Sequence, residues 1–181
     1  DMERFGDDSK EQMSNVGMGV IYTRTSKGEK LIEFDSEYRN TILANYYDSY
    51  YNRFEKLTRS ILNRYGRCNI IDGHSFSIEL LKRLGIPYKN SPDICIGFED
   101  EFCDSDILNL LKEHFEKHGL SVAFNYPYAG SIVPNKYYVK KDSRVKSLMI
   151  EINKSIYLDN NQKNENYSRI KIIIQKAIKK Y

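Results

Sequence analysis

Short apolar runs alternate along this chain with longer stretches of helical spacing, and that alternation restricts the fold to an α/β architecture. The strand-type runs lie at residues 17–23, 68–72, 92–97, 120–125 and 148–153, each rich in β-branched or other apolar side chains. Residues 36–65 read as one long helix, with Ser36 placed to cap it and Gly66 to stop it. Its apolar positions, from Ile42 and Leu43 through Tyr50 and Phe54 to Leu57, Ile61 and Leu62, recur at the three-and-four spacing of one buried face. The tyrosines on this helix read as packing at helical spacing rather than as a ligand box. A second helix begins at Asp104 or Ser105 and ends at Gly119, and residues 167–181 form a terminal amphipathic helix. Residues 76–92 are expected to be a loop with a short helical turn near 79–84, and residues 160–166 a polar turn. The run 68–72 is almost wholly apolar, which predicts a central strand covered on both faces. With no repeats and no low-complexity linker, the expectation is a three-layer α/β/α sandwich around a mixed, largely parallel sheet, in one domain spanning 1–181.

A chain of 181 residues can bury one sizeable core. Its 28 basic and 25 acidic side chains leave a formal charge of only +3, scattered along the sequence, which makes no case for nucleic acid. No apolar run approaches the length needed to cross a membrane. The cysteines, Cys68, Cys95 and Cys103, are odd in number and lack C-x-x-C spacing, so buried, reduced thiols in a cytoplasmic protein are expected.

Chemistry concentrates at a few places. Residues 69–76 carry Asp72, Gly73, His74 and Ser75 at the end of an apolar run. Gly73 is expected to let the backbone turn, so that the carboxylate, imidazole and hydroxyl converge at a strand end. His74 is then a candidate metal ligand or catalytic base, against the alternative of a structural histidine. Glu151 lies within Leu-Met-Ile-Glu-Ile, where a buried carboxylate is costly unless paired, protonated or facing a cavity. Alternation places Met149, Glu151 and Asn153 on one face, and Met149 argues against that face being fully solvated. A glutamate beside a metal-bound water is the general base that hydrolysis needs. The loop 125–130 holds Tyr128, able to cover or hydrogen-bond a substrate, and Gly130, suited to close backbone approach; an ordinary tight loop is the competing reading. His114 and His118 stand four apart on a helix, but Phe115 breaks the H-E-x-x-H zinc pattern and both histidines share the arc of Leu111 and Phe115, so packing is expected.

Several stretches, taken in series, carry a resemblance: 1–8, 17–25 (Gly-Met-Gly-Val-Ile-Tyr-Thr-Arg-Thr), 66–76 with Asp-Gly-His-Ser, 91–97 with Pro-Asp-Ile-Cys-Ile-Gly, 119–134, and 147–158 with Met-Ile-Glu-Ile-Asn-Lys-Ser-Ile-Tyr-Leu. In this order and spacing the chain resembles the N-formylglutamate amidohydrolases (N-formylglutamate deformylases), relatives of the zinc carboxypeptidases. The resemblance implies a zinc-carboxypeptidase-like (phosphorylase/hydrolase-like) sandwich, one catalytic Zn2+, and hydrolysis of N-formyl-L-glutamate to formate and L-glutamate, a late step of histidine breakdown. It implies that His74 is a zinc ligand and Glu151 the general base. Arg4, within Asp-Met-Glu-Arg, would hold a substrate carboxylate, a task suited to a guanidinium fork. Tyr128 and Gly130 would lie in the substrate loop. The family carries a preceding segment with a Pro-His-Ser-Gly-type motif that supplies another zinc histidine and an acidic ligand, and this sequence starts after it, so activity is expected as part of a longer chain. Gly73 stands where a cysteine is common in the family. Hydrolysis of another N-acyl amino acid or small peptide, or a non-catalytic carboxylate-binding domain, are the alternatives.

Overall fold

Four strands build the principal sheet: β1 (Cys68–Phe76), β2 (Ile94–Gly97), β3 (Val122–Phe124) and β4 (Val145–Asn153), in the spatial order β1-β4-β2-β3. The computed structural model describes residues 1–4, 6–9 and 11–181. β1 runs parallel to β4 and β3 parallel to β2, while β2 and β4 are antiparallel, giving the mixed, largely parallel sheet expected of the sequence. The helices are α1 (Ser36–Ile42), α2 (Asp48–Tyr65), α3 (Ile78–Arg83), α4 (Ser105–Lys117), α5 (Asn135–Lys140) and α6 (Tyr167–Ile178), and a hairpin of β5 (Leu158–Asp159) and β6 (Gln162–Lys163) precedes α6.

By contacts the chain divides into two compact units, residues 1–60 with 134–136, and residues 61–133 with 137–181. The second holds the sheet. One face of β4 presents Leu148 and Ile150, which pack with Leu108, Leu111 and Phe115 of α4 and Ile170, Ile173 and Ala177 of α6. Each large side chain buried there contributes about 1.5–3 kcal/mol. On the other face, Val145 of β4 and Cys68 of β1 join Leu62, Phe102, Val133 and Tyr137. Helical residues therefore cover the sheet from both sides, as a layered sandwich requires.

Within the first unit, Glu11 caps a short 3-10 helix, Gln12–Val16, by accepting from the Met13 amide at 2.9 Å. Arg39 of α1 bonds the Asp8 carboxylate at 3.0 Å and the Gly6 carbonyl, and the Gly6 amide donates to Tyr47 Oη at 3.1 Å. Met13, Met18, Val20 and Thr58 are buried. Among the described residues no helix is long and apolar enough to cross a membrane.

The structure corrects three expectations. The run 17–23 is not a strand: only isolated bridges, Met18 to Tyr22 and Arg24 to Lys30, form there. Gly17 at φ 75° instead closes the preceding 3-10 helix, its amide donating to Met13 and Ser14 carbonyls, so the glycine serves a helix end. The run 68–72 is not central. It extends to Phe76 and, among the described residues, lies at the sheet edge, paired with β4 alone, and β4 is the strand buried along both faces. The helix over 36–65 is capped by Asp35, whose carboxylate accepts from the Tyr38 amide at 2.8 Å, and it passes through a π-helical stretch at Leu43–Tyr47 before Gly66 ends it at φ 74°. The wider turn puts the two halves of the apolar stripe out of phase, and Tyr46 and Leu57 are exposed.

Candidate functional site

The register of three strands assembles the site. β1 pairs with β4 so that His74 faces Glu151, and β2 pairs with β4 so that Cys95 faces Glu151 from the other side. Register partners on adjacent strands are about 4.8 Å apart and point to the same face. Glu151 thus stands between an imidazole and a thiol, only 7% exposed, with Cys95 fully buried. Asp72, two positions before His74 on β1, shares that face by alternation, and its Oδ1 is 2.8 Å from His74 Nε2. The Asp72 side chain is 10% exposed and that of His74 34%, so the carboxylate anchors a ring whose outer part reaches solvent.

The sequence suggests that a turn at Gly73 brings Asp72, His74 and Ser75 together; the structure brings only Asp72 and His74 together, and by another route. Gly73 is not a turn. It is a strand residue paired with Ile150, and Asp72 and His74 come together because the strand continues through them. The same alternation sends Ser75 to the opposite face, away from His74. There an apolar groove of about 490 Å³ is lined by Ile71, Ile152, Tyr157, Ile174 and Ile178, along with Ser75 and also His74. Asp72 and Glu151 keep to the other face, while His74, on the edge strand, also borders this groove.

Asn153, further along that face, is committed to structure: its Oδ1 accepts from the Ser155 amide at 3.1 Å and hydroxyl at 2.9 Å, and its Nδ2 donates to the Pro92 carbonyl. Burial pushes the Cys95 thiol up, with the Glu151 carboxylate adding to the shift and hydrogen bonds to the loop backbone at Tyr128 and Tyr126 opposing it. The thiol stays protonated at neutral pH and donates to the Tyr128 carbonyl at 3.2 Å.

That bond brings the loop after β3 to the same face. The Tyr128 ring meets Phe76, at the end of β1, edge to face with centroids 6.1 Å apart. Gly130, at φ 80°, directs its carbonyl against Gly97, where a Cβ would lie 2.5 Å from that oxygen; the missing side chain at Gly97 permits the approach. Tyr128, Gly130, His74 and Glu151 are therefore gathered on one face of one sheet. Sequence reasoning missed Cys95 as a neighbour of Glu151 because that depends on strand register, which no local pattern encodes.

Arg4 belongs to the other unit. Its guanidinium pairs with Asp1 at 3.3 Å and Glu11 at 3.9 Å, partners the sequence did not suggest. The helical histidines pack as expected: His114 Nε2 bonds the Ile173 carbonyl at 3.0 Å and His118 Nδ1 the His114 carbonyl at 2.7 Å.

In fold, the molecule is a mixed α/β protein of the kind seen in solved amidohydrolases. It is similar to the crystal structure of N-formylglutamate amidohydrolase from Ralstonia eutropha, with TM-score 0.76, 19% identity, and coverage of 92% of this chain and 61% of that one. A gene product of Agrobacterium tumefaciens is similar at TM-score 0.62 and 16% identity, covering 99% of this chain and 65% of that one. The chain thus spans about three-fifths to two-thirds of the length of these solved structures. No curated protein matches it. The sequence decides the family: residues 1–158 match the model for N-formylglutamate amidohydrolase, and the chain belongs to that family.

Proposed function

We propose that this protein is a zinc-dependent amidohydrolase that cleaves N-formyl-L-glutamate to formate and L-glutamate. The observation that carries the reading is Glu151, a nearly buried carboxylate in the central strand with His74 as its register partner, within a chain of the N-formylglutamate amidohydrolase family. Burying a carboxylate is costly, and a group placed to accept a proton from water is a task this position suits.

The donor set fits a zinc site in part. An imidazole and a carboxylate held at 2.8 Å are zinc-type donors, and a hydrolytic zinc takes three protein ligands with a position left open. His74 would hold the metal, with Asp72 fixing the ring as carboxylates commonly do for ligating histidines. Zinc, when bound, supplies polarisation of the formyl carbonyl and a water acidic enough to attack near neutral pH. Glu151 takes the proton from the attacking water as the new C–O bond forms at the formyl carbon. The C–N bond then breaks, and Glu151 returns the proton to the departing amine nitrogen, leaving formate and L-glutamate. The buried surroundings of Glu151 exclude competing water and strengthen its interaction with charge that develops beside it. Tyr128 and Gly130 would border the bound amide, Gly130 through its backbone. Arg4 would take a substrate carboxylate, which must compete there with Asp1 and Glu11.

That competition favours a second reading. A guanidinium already paired with two carboxylates has less to gain from a third, so another N-acyl amino acid or a small peptide is the alternative substrate class. The three buried cysteines, none of them in a disulfide, suit a reducing compartment.

The test is formate release from N-formyl-L-glutamate by the protein at its natural length, with and without added zinc. Release that is absent under both conditions, or that persists fully in Glu151→Gln, sinks the proposal. Comparing kcat/KM over a panel of N-acyl amino acids separates the two readings, and Arg4→Ala should raise KM only for substrates bearing a side-chain carboxylate.

A further inference from the structure

One side chain of the loop between β3 and α5 accepts two backbone amides from separate segments. Asn125 leaves β3 with its amide donating to the Ile96 carbonyl at 2.9 Å, the last rung between β2 and β3. Its backbone then turns into the left-handed region at φ 51°. From there Oδ1 accepts two amides at once, Phe98 N at 2.8 Å and Gly130 N at 3.3 Å. One amide belongs to the segment after β2 and the other closes the loop, so a single oxygen joins the two ends of the loop's surroundings. Asparagine meets both requirements: it tolerates positive φ better than other side chains, and it offers a carbonyl acceptor.

Other contacts hold the same loop from below and from the side. The Cys95 thiol donates to the Tyr128 carbonyl, Gly97 makes room for the Gly130 carbonyl, and Tyr126 Oη donates to the Pro87 carbonyl. None of these spans the loop as Asn125 does.

We propose that Asn125 is the positioning residue of the substrate loop, its Oδ1 fixing where Tyr128 and Gly130 stand over the face that carries Glu151. The inference rests on the reading that this loop meets the substrate. Asn125 touches no reacting atom. It acts by removing the loop's freedom before substrate arrives, which saves the ordering cost at binding.

Three substitutions separate the roles of backbone and acceptor. Asn125→Asp keeps an acceptor and a tolerable φ; Asn125→Gly keeps the φ and loses the acceptor; Asn125→Ala loses both. Amide hydrogen exchange at Phe98 and Gly130 reports the tether without reference to any activity. Loss of one net hydrogen bond should speed exchange at each amide by about tenfold in Asn125→Gly and Asn125→Ala, with Asn125→Asp close to the parent protein. For N-formyl-L-glutamate, KM should rise by about tenfold in Asn125→Gly while kcat changes less than about twofold, since only substrate ordering is lost. Unchanged exchange at both amides in Asn125→Gly overturns the tether. Faster exchange with an unchanged KM, or a fall confined to kcat, overturns the positioning role. Should the parent protein release no formate while the exchange pattern appears as expected, the tether stands and the proposed substrate falls.

Discussion

The two faces of β4 differ by one residue of register and by almost everything else. Leu148, Ile150 and Ile152 point toward α4 and α6 and pack among leucines, isoleucines and a phenylalanine. Met149, Glu151 and Asn153 point the other way, toward Asp72, His74 and Cys95, and are nearly as buried. Burial therefore does not distinguish a core from a site in this sheet. The first face gains stability from each apolar contact, whereas the second holds groups whose desolvation costs stability unless chemistry or hydrogen bonding justifies it. Stability and activity should accordingly respond to different residues of one strand.

The sharpest test is Glu151→Gln. Formate release should fall by about 10²–10⁴-fold with the fold retained, because the amide cannot accept the proton yet keeps the shape. A large loss of stability instead would make Glu151 a structural residue and erase the contrast. On the opposite face, Leu148→Ala should cost about 2–5 kcal/mol in urea unfolding, since the side chain is fully buried among α4 and α6. A cost near that of a surface substitution would mean this face is loosely packed.

Cys103, in the apolar cluster, gives a pH version of the comparison. Burial pushes its thiol from 9.0 up to about 11, so between those values the folded state binds more protons than the unfolded state. Stability should be unaffected by this group below pH 9 and should fall as pH rises from 9 toward 11, by an amount on the order of 2–3 kcal/mol. Cys103→Ala should flatten that part of the curve; an unchanged slope places the loss on other groups, the half-buried phenols of Tyr51 and Tyr181 first. The smallest effect is expected from Asp72→Asn, which trades a charge-assisted bond to His74 for a neutral one. Zinc affinity, read by titration with a chromophoric competitor, should weaken by about tenfold. Affinity equal to that of the parent protein removes Asp72 from any role in holding the ring.

Much of this was legible in the sequence. The strand-type runs at 92–97, 120–125 and 148–153 became β2, β3 and β4, and the mixed sheet with helices on both sides followed from their alternation with helical segments. Glu151 was visible as a carboxylate among apolar neighbours, and alternation alone put it on a face with Met149 and Asn153. What was hidden is what only pairing decides. An all-apolar run such as 68–72 fits a central strand or an edge equally well until its partners are known. Gly73 reads as a turn by propensity, yet β1 carries it in extended conformation because β4 supplies the ladder on one side. The π-helical stretch at Leu43–Tyr47 has no periodic signature, so the stripe over 36–65 looked continuous when it was not.

The position of β1 at the sheet edge has a further consequence. No described strand is hydrogen-bonded along its outer side, so half of its backbone donors and acceptors face away from the ladder. Such an edge is a template for further pairing, between chains as readily as within one. Because His74 rides on this strand, any polypeptide that adds itself there would pull on the same backbone that holds His74 in register with Glu151. Concentration-dependent self-association and a shift of His74 relative to Glu151 would then be one event observed in two ways.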